Sequence, residues 1–333
     1  MAPVRISFAG GGTDMPEYFE KYGGGVVTTS INHFTYVIIG ARHDKSFQAF
    51  SLDYDTHQKT DYDFLEPQHG TEIAVSVVKH LKYEEGANYL IGSDVQPASG
   101  LGASSALTVN FIKTISTLKG EKWSKEKIAE VAFHIGRNIL NWPIGKQDEY
   151  ISSFGGLNFI KFEKDKTTVC PISPSRSTLQ ELEQNLLLFL IGFPKDHNQI
   201  LGEQLRKTKE NSPEIIDALH FVRGLADELY RSLINSDITA MGEILHKGWL
   251  AKKKFVKNVS NERIDRLYEA ALKEGATGGK ITGAGGGGHI LFYCEKPKQS
   301  ELIKKMEELG LKRVRFNFQT EGAKVINLYD FSK

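Results

Sequence analysis

Val95-Gln96-Pro97-Ala98-Ser99-Gly100-Leu101-Gly102-Ala103-Ser104-Ser105-Ala106 reads as a loop that runs into a helix. Gly100 and Gly102 permit positive φ and a close approach to a ligand, and Ser104 and Ser105 stand where a helix would begin. Leu107, Phe111, Ile115 and Leu118 follow at helical spacing. A helix anchored by that stripe would turn its unpaired N–H groups and its positive end back into the loop. Such a mouth favours an anion. An ordinary loop and N-cap would account for a single Gly-x-Gly followed by Ser. Two further glycine-rich stretches, one near each end of the chain, tell against that simpler reading.

Working toward the N-terminus, residues 88–92 read as a short strand feeding the loop, and 71–81 as a helix with Ile73, Val77, Val78 and Leu81 on one side. Residues 53–70 read as an irregular connection, and 26–31, 34–41 and 47–52 as strands separated by polar turns. Residues 15–22 suggest a short helix. Residues 3–9 read as a first strand that delivers the chain into Gly10-Gly11-Gly12-Thr13-Asp14, a turn a ligand can approach closely.

Toward the C-terminus, Ser124 opens a helix with Ile128, Val131, Ala132, Ile135 and Ile139 as its stripe, ended by Pro143. Gly145-Lys146-Gln147-Asp148-Glu149-Tyr150 then reads as a polar, charged turn before a strand near 154–160. The polar stretch 173–185 is expected to hold a domain boundary, which divides the chain into 1–180 and 181–333. Residues 186–191 read as a central strand. Helices are expected from Ser212-Pro213, from Asp237 toward Lys254, and from Ser260 to Gly275. A strand at 289–294, a helix at 300–309 and strands near 312–318 and 323–328 complete an α+β second half.

The bulk properties narrow the function. At 333 residues two domains are expected. Basic and acidic residues nearly cancel, 42 against 41, which argues against nucleic acid or an anionic membrane as partner and points to a small molecule. No apolar run is long enough for a membrane span. The opening Met1-Ala2-Pro3-Val4-Arg5 is not a basic-then-apolar leader, so a cytoplasmic location is expected. Cys170 and Cys294 have no paired spacing, which suits a reducing compartment and gives no metal site.

The third glycine stretch, Lys280-Ile281-Thr282-Gly283-Ala284-Gly285-Gly286-Gly287-Gly288-His289, formally satisfies Gly-x-Gly-x-x-Gly. A dinucleotide fingerprint needs a helix after that loop, whereas His289 to Cys294 continues as a strand. No Gly-x-x-x-x-Gly-Lys-[Ser/Thr] occurs, so a Walker-type site is unsupported too.

Taken together, Pro97 to Ala106, Gly283 to Gly288 and Arg5 to Asp14 resemble the nucleotide loop, C-terminal loop and N-terminal motif of the GHMP kinases, in the right order. Within that superfamily, Ala9 to Asp14, Gly145-Lys146-Gln147-Asp148 and Gly278 to Gly288 are most similar to the D-glycero-D-manno-heptose 7-phosphate kinases. The resemblance implies an α+β, two-domain GHMP kinase fold. Its N-terminal domain would be α/β, like ribosomal protein S5 domain 2, and its C-terminal domain ferredoxin-like. It also implies ATP and Mg²⁺ as cofactors, a small-molecule sugar or sugar phosphate as substrate, and room for a homodimer. The expected reaction is phosphorylation of the anomeric hydroxyl.

By that resemblance Pro97, Ser99, Gly100, Leu101, Gly102, Ala103, Ser104 and Ser105 bind the nucleotide phosphates, with Ser104 a Mg²⁺ ligand. Asp148 is the family's catalytic aspartate, and Arg5 steadies it. Gly11, Gly12, Thr13, Asp14, Lys146, Gly283, Ala284, Gly285 and Gly286 are expected on the substrate, where a carboxylate such as Asp14 suits sugar diols. Lys252, Lys253 and Lys254 are candidates for a second phosphate, although a lysine run on a helix is more often a solvated face. One departure stands out: the glutamate that helps hold Mg²⁺ in the family aligns with Gly136. That loss is the one feature favouring a non-catalytic sugar sensor of the same fold. Fucose- or galactose-type 1-kinases share much of the pattern, and an oxidoreductase is demoted by the strand after Gly288.

Overall fold

The eight residues Ala2–Ala9 form strand β1, and all are buried, so even Arg5 and Ser7 are carried into the interior. The computed structural model describes residues 1–192 and 197–327. After β1 come α1 (Pro16–Tyr22), β2 (Gly24–Ala41), β3 (Ser46–Ser51), β4 (Thr56–Asp61), α2 (Glu72–His80) and β5 (Ala87–Ser93). Then follow α3 (Ala103–Leu118), α4 (Lys125–His134), α5 (Gln147–Phe154), β6 (Leu157–Glu163), β7 (Lys166–Pro171) and α6 (Arg176–Asn185). The remainder is β8 (Leu186–Gly192), α7 (His197–Lys209), α8 (Pro213–Ile234), α9 (Met241–Lys252), α10 (Glu262–Lys273), β9 (Gly278–Ile281), β10 (Gly288–Tyr293), α11 (Gln299–Glu308) and β11 (Lys312–Val314).

One sheet runs β4-β3-β5-β2-β6-β7, with β1 also paired to β2, and is antiparallel except between β3 and β5. The second, antiparallel throughout, runs β11-β8-β10-β9. Leu186 and Leu188 of β8 join a core with Ile6, Phe8, Val27, Val109, Phe111, Leu225 and Leu229. Leu187, Phe189 and Ile191 face the other way, into a cluster with Leu267, Tyr268, Leu302 and Met306. The continuous apolar run of β8 thus reflects burial on both faces. α8 contributes Leu225, Ala226, Leu229 and Leu233 to the first core, which therefore runs through residues from both ends of the chain.

Several elements differ from the sequence expectation. The strands expected at 26–31 and 34–41 are one, because the polar break at Asn32 and His33 is paired rather than turned. Asn32 N–H donates to the Asn317 carbonyl (2.9 Å), and Ile31 bridges Phe318. β4 falls in the stretch read as irregular; its polar Thr-His-Gln-Lys-Thr-Asp is that of a sheet edge. The helix opened by Ser124 leaves α-geometry at Ile135–Ile139, where it widens by one residue per turn. The polar turn at 145–150 is largely the first turn of α5, whose Asp148 complements the positive end of the helix. Part of the 173–185 stretch is α6, with Ser175 Oγ accepting the Thr178 N–H. β7, α7 and β9 were not expected. β9 was hidden by Gly278 and Gly279, where a Cβ would stand 1.8 Å from Gly242 O and 2.5 Å from Leu291 O. β11 ends at Val314, short of 318. The expected strand at 323–328 is absent over its described residues 323–327, where Ala323 N–H bonds Ser152 O and Lys324 N–H bonds Met1 O (both 2.9 Å).

Candidate active site

A cavity of about 630 Å³ is lined by residues of all three glycine stretches and of the loop that opens α5. At one wall stands the start of α3. Gly102 is its N-cap at φ +79°, and no side chain caps the helix, so its first amides are left to a ligand. A Cβ on Gly102 would lie 2.9 Å from Asp148 Oδ2, and one on Gly283 would lie 2.6 Å from Gly100 Cα. Glycine is needed at these positions because the loops touch each other and the carboxylate through bare main chain. His289 Nδ1 donates to the Ser99 carbonyl (2.8 Å) and clamps the two loops together.

Asp148, in the first turn of α5, meets Arg5 in a forked pair, Nε to Oδ1 at 2.7 Å and Nη2 to Oδ2 at 2.6 Å. Arg5 also donates from Nη1 to the Gly100 carbonyl and from its main-chain N–H to Leu101 O (2.9 Å). One arginine therefore locks the carboxylate to the loop at the mouth of α3. The pair is only partly covered, Asp148 keeping 19% of its side chain exposed toward the cavity.

Asp14 lines the same cavity and accepts the N–H groups of Gly12 (2.9 Å) and Gln147 (3.2 Å). Burial and then the nearby Asp148 push its carboxyl above the ordinary range, against those two amide bonds. Ser7 Oγ, Ser99 Oγ and Gln147 Oε1 are buried without a hydrogen-bond partner among the described residues, and all three belong to cavity-lining residues. Orphaned polar atoms along one wall are what a bound polar ligand would satisfy.

Of the residues singled out in the sequence, Arg5, Gly11, Gly12, Asp14, Pro97, Ser99, Gly100, Gly102, Ala103, Ser104, Ser105, Asp148, Gly283 and Ala284 line the cavity. Ser104 is exposed there, on the first turn of α3 and inside the cap. Others sit elsewhere. Leu101 is packed in the main core. Ser105, although at the cavity wall, spends its hydroxyl on Glu149 Oε1 (2.7 Å). Thr13 is fully buried, its hydroxyl donating to Gly10 O (2.8 Å) and accepting the Gly25 N–H (3.0 Å), so it holds the glycine turn and faces no substrate. Lys146 gives its ammonium to Glu130 (2.7 and 2.9 Å) under the Phe133 ring, outside the cavity. Gly285 and Gly286 pack on Val259, whose carbonyl accepts the Gly286 N–H at 2.8 Å.

Lys253 pairs with Asp265 (2.7 Å) on the outside, whereas Lys252 lines the cavity. Lys280 and Ser7 also line it and were not picked out. Signals existed for Ser7 and Lys252. Ser7 is two residues from Arg5 on a strand, hence on the same face, and Lys252 continues the buried stripe of α9 through Leu245 and Trp249. A further wall, made by Tyr54, Ile73, Ile91, Pro97 and Leu107 with Ser51, Asp53 and Glu72, is apolar with a few polar groups and suits a flat base.

Glu149, beside Asp148, is buried, and burial and then the Asp148 charge push its carboxyl up to about 8. At neutral pH it holds its proton and serves Ser105. At Gly136 a Cβ would stand 2.6 Å from Ile144 Cδ1, so the place of the family's glutamate is taken up by an apolar side chain that itself lines the cavity.

Known proteins resemble this chain in sequence and fold. Residues 72–156 match the GHMP kinases N terminal domain, and residues 228–312 match the GHMP kinases C terminal domain. The chain is 30% identical over 329 residues to the D-glycero-alpha-D-manno-heptose 7-phosphate kinase of Campylobacter jejuni, covering 97% of this chain and 96% of that one. A putative sugar kinase from Campylobacter jejuni superposes with a TM-score of 0.78 at 29% identity over 97% of this chain and 96% of that one. A D-glycero-D-manno-heptose 1-phosphate kinase from Bacteroides thetaiotaomicron superposes with a TM-score of 0.79 at 24% identity, covering 98% of both chains, and speaks for the fold. The chain belongs to the GHMP kinases and is an ATP-dependent phosphotransferase.

Proposed function

We propose that the protein transfers the terminal phosphoryl group of ATP to the anomeric hydroxyl of a sugar, with D-glycero-D-manno-heptose 7-phosphate as acceptor and the 1,7-bisphosphate as product. Such a product suits the making of nucleotide-activated heptose for surface polysaccharide. The observation that carries the reading is the Arg5-locked Asp148 beside Gly102 at the open start of α3. Sugar chemistry is supported by the full-length likeness to a heptose 7-phosphate kinase.

In this reading the amides at 100–105 hold the β- and γ-phosphates, where the helix end favours negative charge at no reorganisation cost. Asp148 accepts the proton of the attacking hydroxyl, and Arg5, bonded to both of its oxygens, fixes the orientation of the carboxylate. Asp14, held by two amides, presents an acceptor to sugar hydroxyls beside Gly11 and Gly12. Mg²⁺ would be held by Ser104 with phosphate oxygens and water, and would supply charge neutralisation. The residues fit that ion, because Mg²⁺ commonly takes one or two protein ligands and keeps several waters. No cluster of three His, Cys, Asp or Glu residues is poised for a metal among the described residues, in keeping with a site completed by the nucleotide. The same reading divides the chain into a nucleotide-loop domain, 1–180, and a glycine-rich-loop domain, 181–333, working in the cytoplasm.

The test is ADP release with Mg²⁺ over a panel of heptose phosphates, fucose, galactose and mannose. Fastest turnover on heptose 7-phosphate is expected. Preference for fucose or galactose would move the acceptor assignment, and tight sugar binding with no turnover on any member would make the protein a sensor.

A further inference from the structure

Three cationic side chains line the cavity among the described residues: Arg5, Lys252 and Lys280. Arg5 is committed to Asp148. The two lysines have no such partner. Lys280 is 7% exposed on β9 and donates to the Phe8 carbonyl (3.3 Å), and Lys252, at the end of α9, donates to the Gly283 carbonyl. Neither forms an ion pair among the described residues. Lys280 is buried and Lys252 half-buried, and ammonium groups drawn from water and bonded only to neutral main chain are costly and call for a counter-charge.

Their position says which charge. Gly283, held by Lys252, packs on Gly100; Gly100 accepts from Arg5; and Gly102 stands against Asp148. Lys280 bonds the same strand, β1, that carries Arg5. The lysines thus flank the junction of the nucleotide loop, the third glycine stretch and β1, the strand whose Arg5 holds Asp148.

We infer that Lys252 and Lys280 are catalytic residues that bind the phosphoryl group while it is in transfer. The inference rests on the phosphotransferase reading of this cavity. In the step, the sugar oxygen bonds to the γ-phosphorus as the bond from that phosphorus to the β,γ-bridging oxygen breaks. The bridging oxygen leaves on ADP with the electron pair, and the hydroxyl proton passes to Asp148. Negative charge spreads over the equatorial oxygens, and the two ammonium groups meet that charge. The electrostatics of the protein agree. Burial first, then Lys280 and Arg5, hold the Lys252 ammonium well below the ordinary lysine range, and burial and then Arg5 bring Lys280 down to about 8. An arriving phosphoryl group would reverse both shifts.

The experiment measures binding of ADP alone, and of ADP with aluminium fluoride, Mg²⁺ and heptose 7-phosphate, to the full chain and to Lys252→Met and Lys280→Met. Steady-state kinetics are run on phosphorylated and unphosphorylated sugars. The full chain should bind the aluminium fluoride complex more tightly than ADP. Each methionine variant should lose about a hundredfold of that tightening and of kcat, the loss expected for one preorganised donor, with ADP affinity unchanged. Lys252→Arg and Lys280→Arg, which keep the charge, should recover part of the tightening, and thermal melts report whether each variant folds. Full tightening in both folded methionine variants would overturn the inference. So would a loss confined to KM for phosphorylated acceptors, which would give the lysines to the acceptor's own phosphate. Absence of turnover by the unaltered protein on every sugar would instead remove the function proposed above, while the aluminium fluoride measurement would still decide the lysines.

Discussion

At the start of α3 the cavity offers a ligand main chain: an uncapped helix end, glycines at 100 and 102, and one exposed hydroxyl at Ser104. Nearby, at Arg5, Asp148, Lys252 and Lys280, it offers charged side chains, Arg5 and Lys280 buried and Asp148 and Lys252 half-buried. The two regions solve different problems. Amides on a fixed helix can hold phosphates whatever the side chains do, so their requirement is for space and backbone conformation. Side-chain charges can discriminate between ground state and transition state, so their requirement is for chemical identity. Isosteric changes should therefore be nearly silent on binding but severe on rate in the charged region, and changes of bulk at the helix should damage binding as well.

The largest separation is expected for Asp148→Asn, which keeps shape and removes the proton acceptor. The turnover number should fall about a thousandfold, within the range for losing a general base, while ATP affinity holds. A parallel collapse of ATP binding in calorimetry would erase the distinction between the regions. Gly102→Ala should be intermediate. At φ +79°, with its new Cβ 2.9 Å from Asp148 Oδ2, the alanine strains the cap and displaces the carboxylate. Stability should drop by about 1–3 kcal/mol in urea titrations. The same protein should lose both ATP affinity and rate, the latter approaching about a hundredfold if the carboxylate moves by about 1 Å.

The smallest effect belongs to Glu149, beneath both regions. Its folded carboxyl titrates at about 8, above its unfolded value, so between the two the folded state binds the extra proton. Stability from this group is fully present below the unfolded value and is lost as pH rises through about 8. Glu149→Gln keeps an acceptor for Ser105 and should flatten that slope in melts recorded from pH 5 to pH 8. An unchanged slope would show that another group sets it.

The main-chain region was the more legible of the two in the sequence. Runs such as Gly100-Leu101-Gly102 and Gly283 to Gly288 have few explanations besides close approach, and their order carried the family. Charged residues were harder, because a carboxylate or an ammonium reads the same whether it faces water or a ligand. Asp148 was found by its motif, though the helix it opens was read as a turn, since a polar first turn hides helical periodicity. Thr13 and Lys146 share motifs with true cavity residues, yet one plugs the glycine turn and the other is spent on Glu130. Lys252 lay in a lysine run and only its continuation of the α9 stripe set it apart. Lys280 lies inside a glycine stretch, on a strand those glycines conceal.

The most direct measurement is a crystal structure of the protein with a non-hydrolysable ATP analogue, Mg²⁺ and heptose 7-phosphate. The β- and γ-phosphates should lie on the amides of residues 100–105, with the anomeric hydroxyl within about 3 Å of an Asp148 oxygen. Phosphates bound away from α3, or a sugar whose anomeric hydroxyl faces away from Asp148, would contradict that placement.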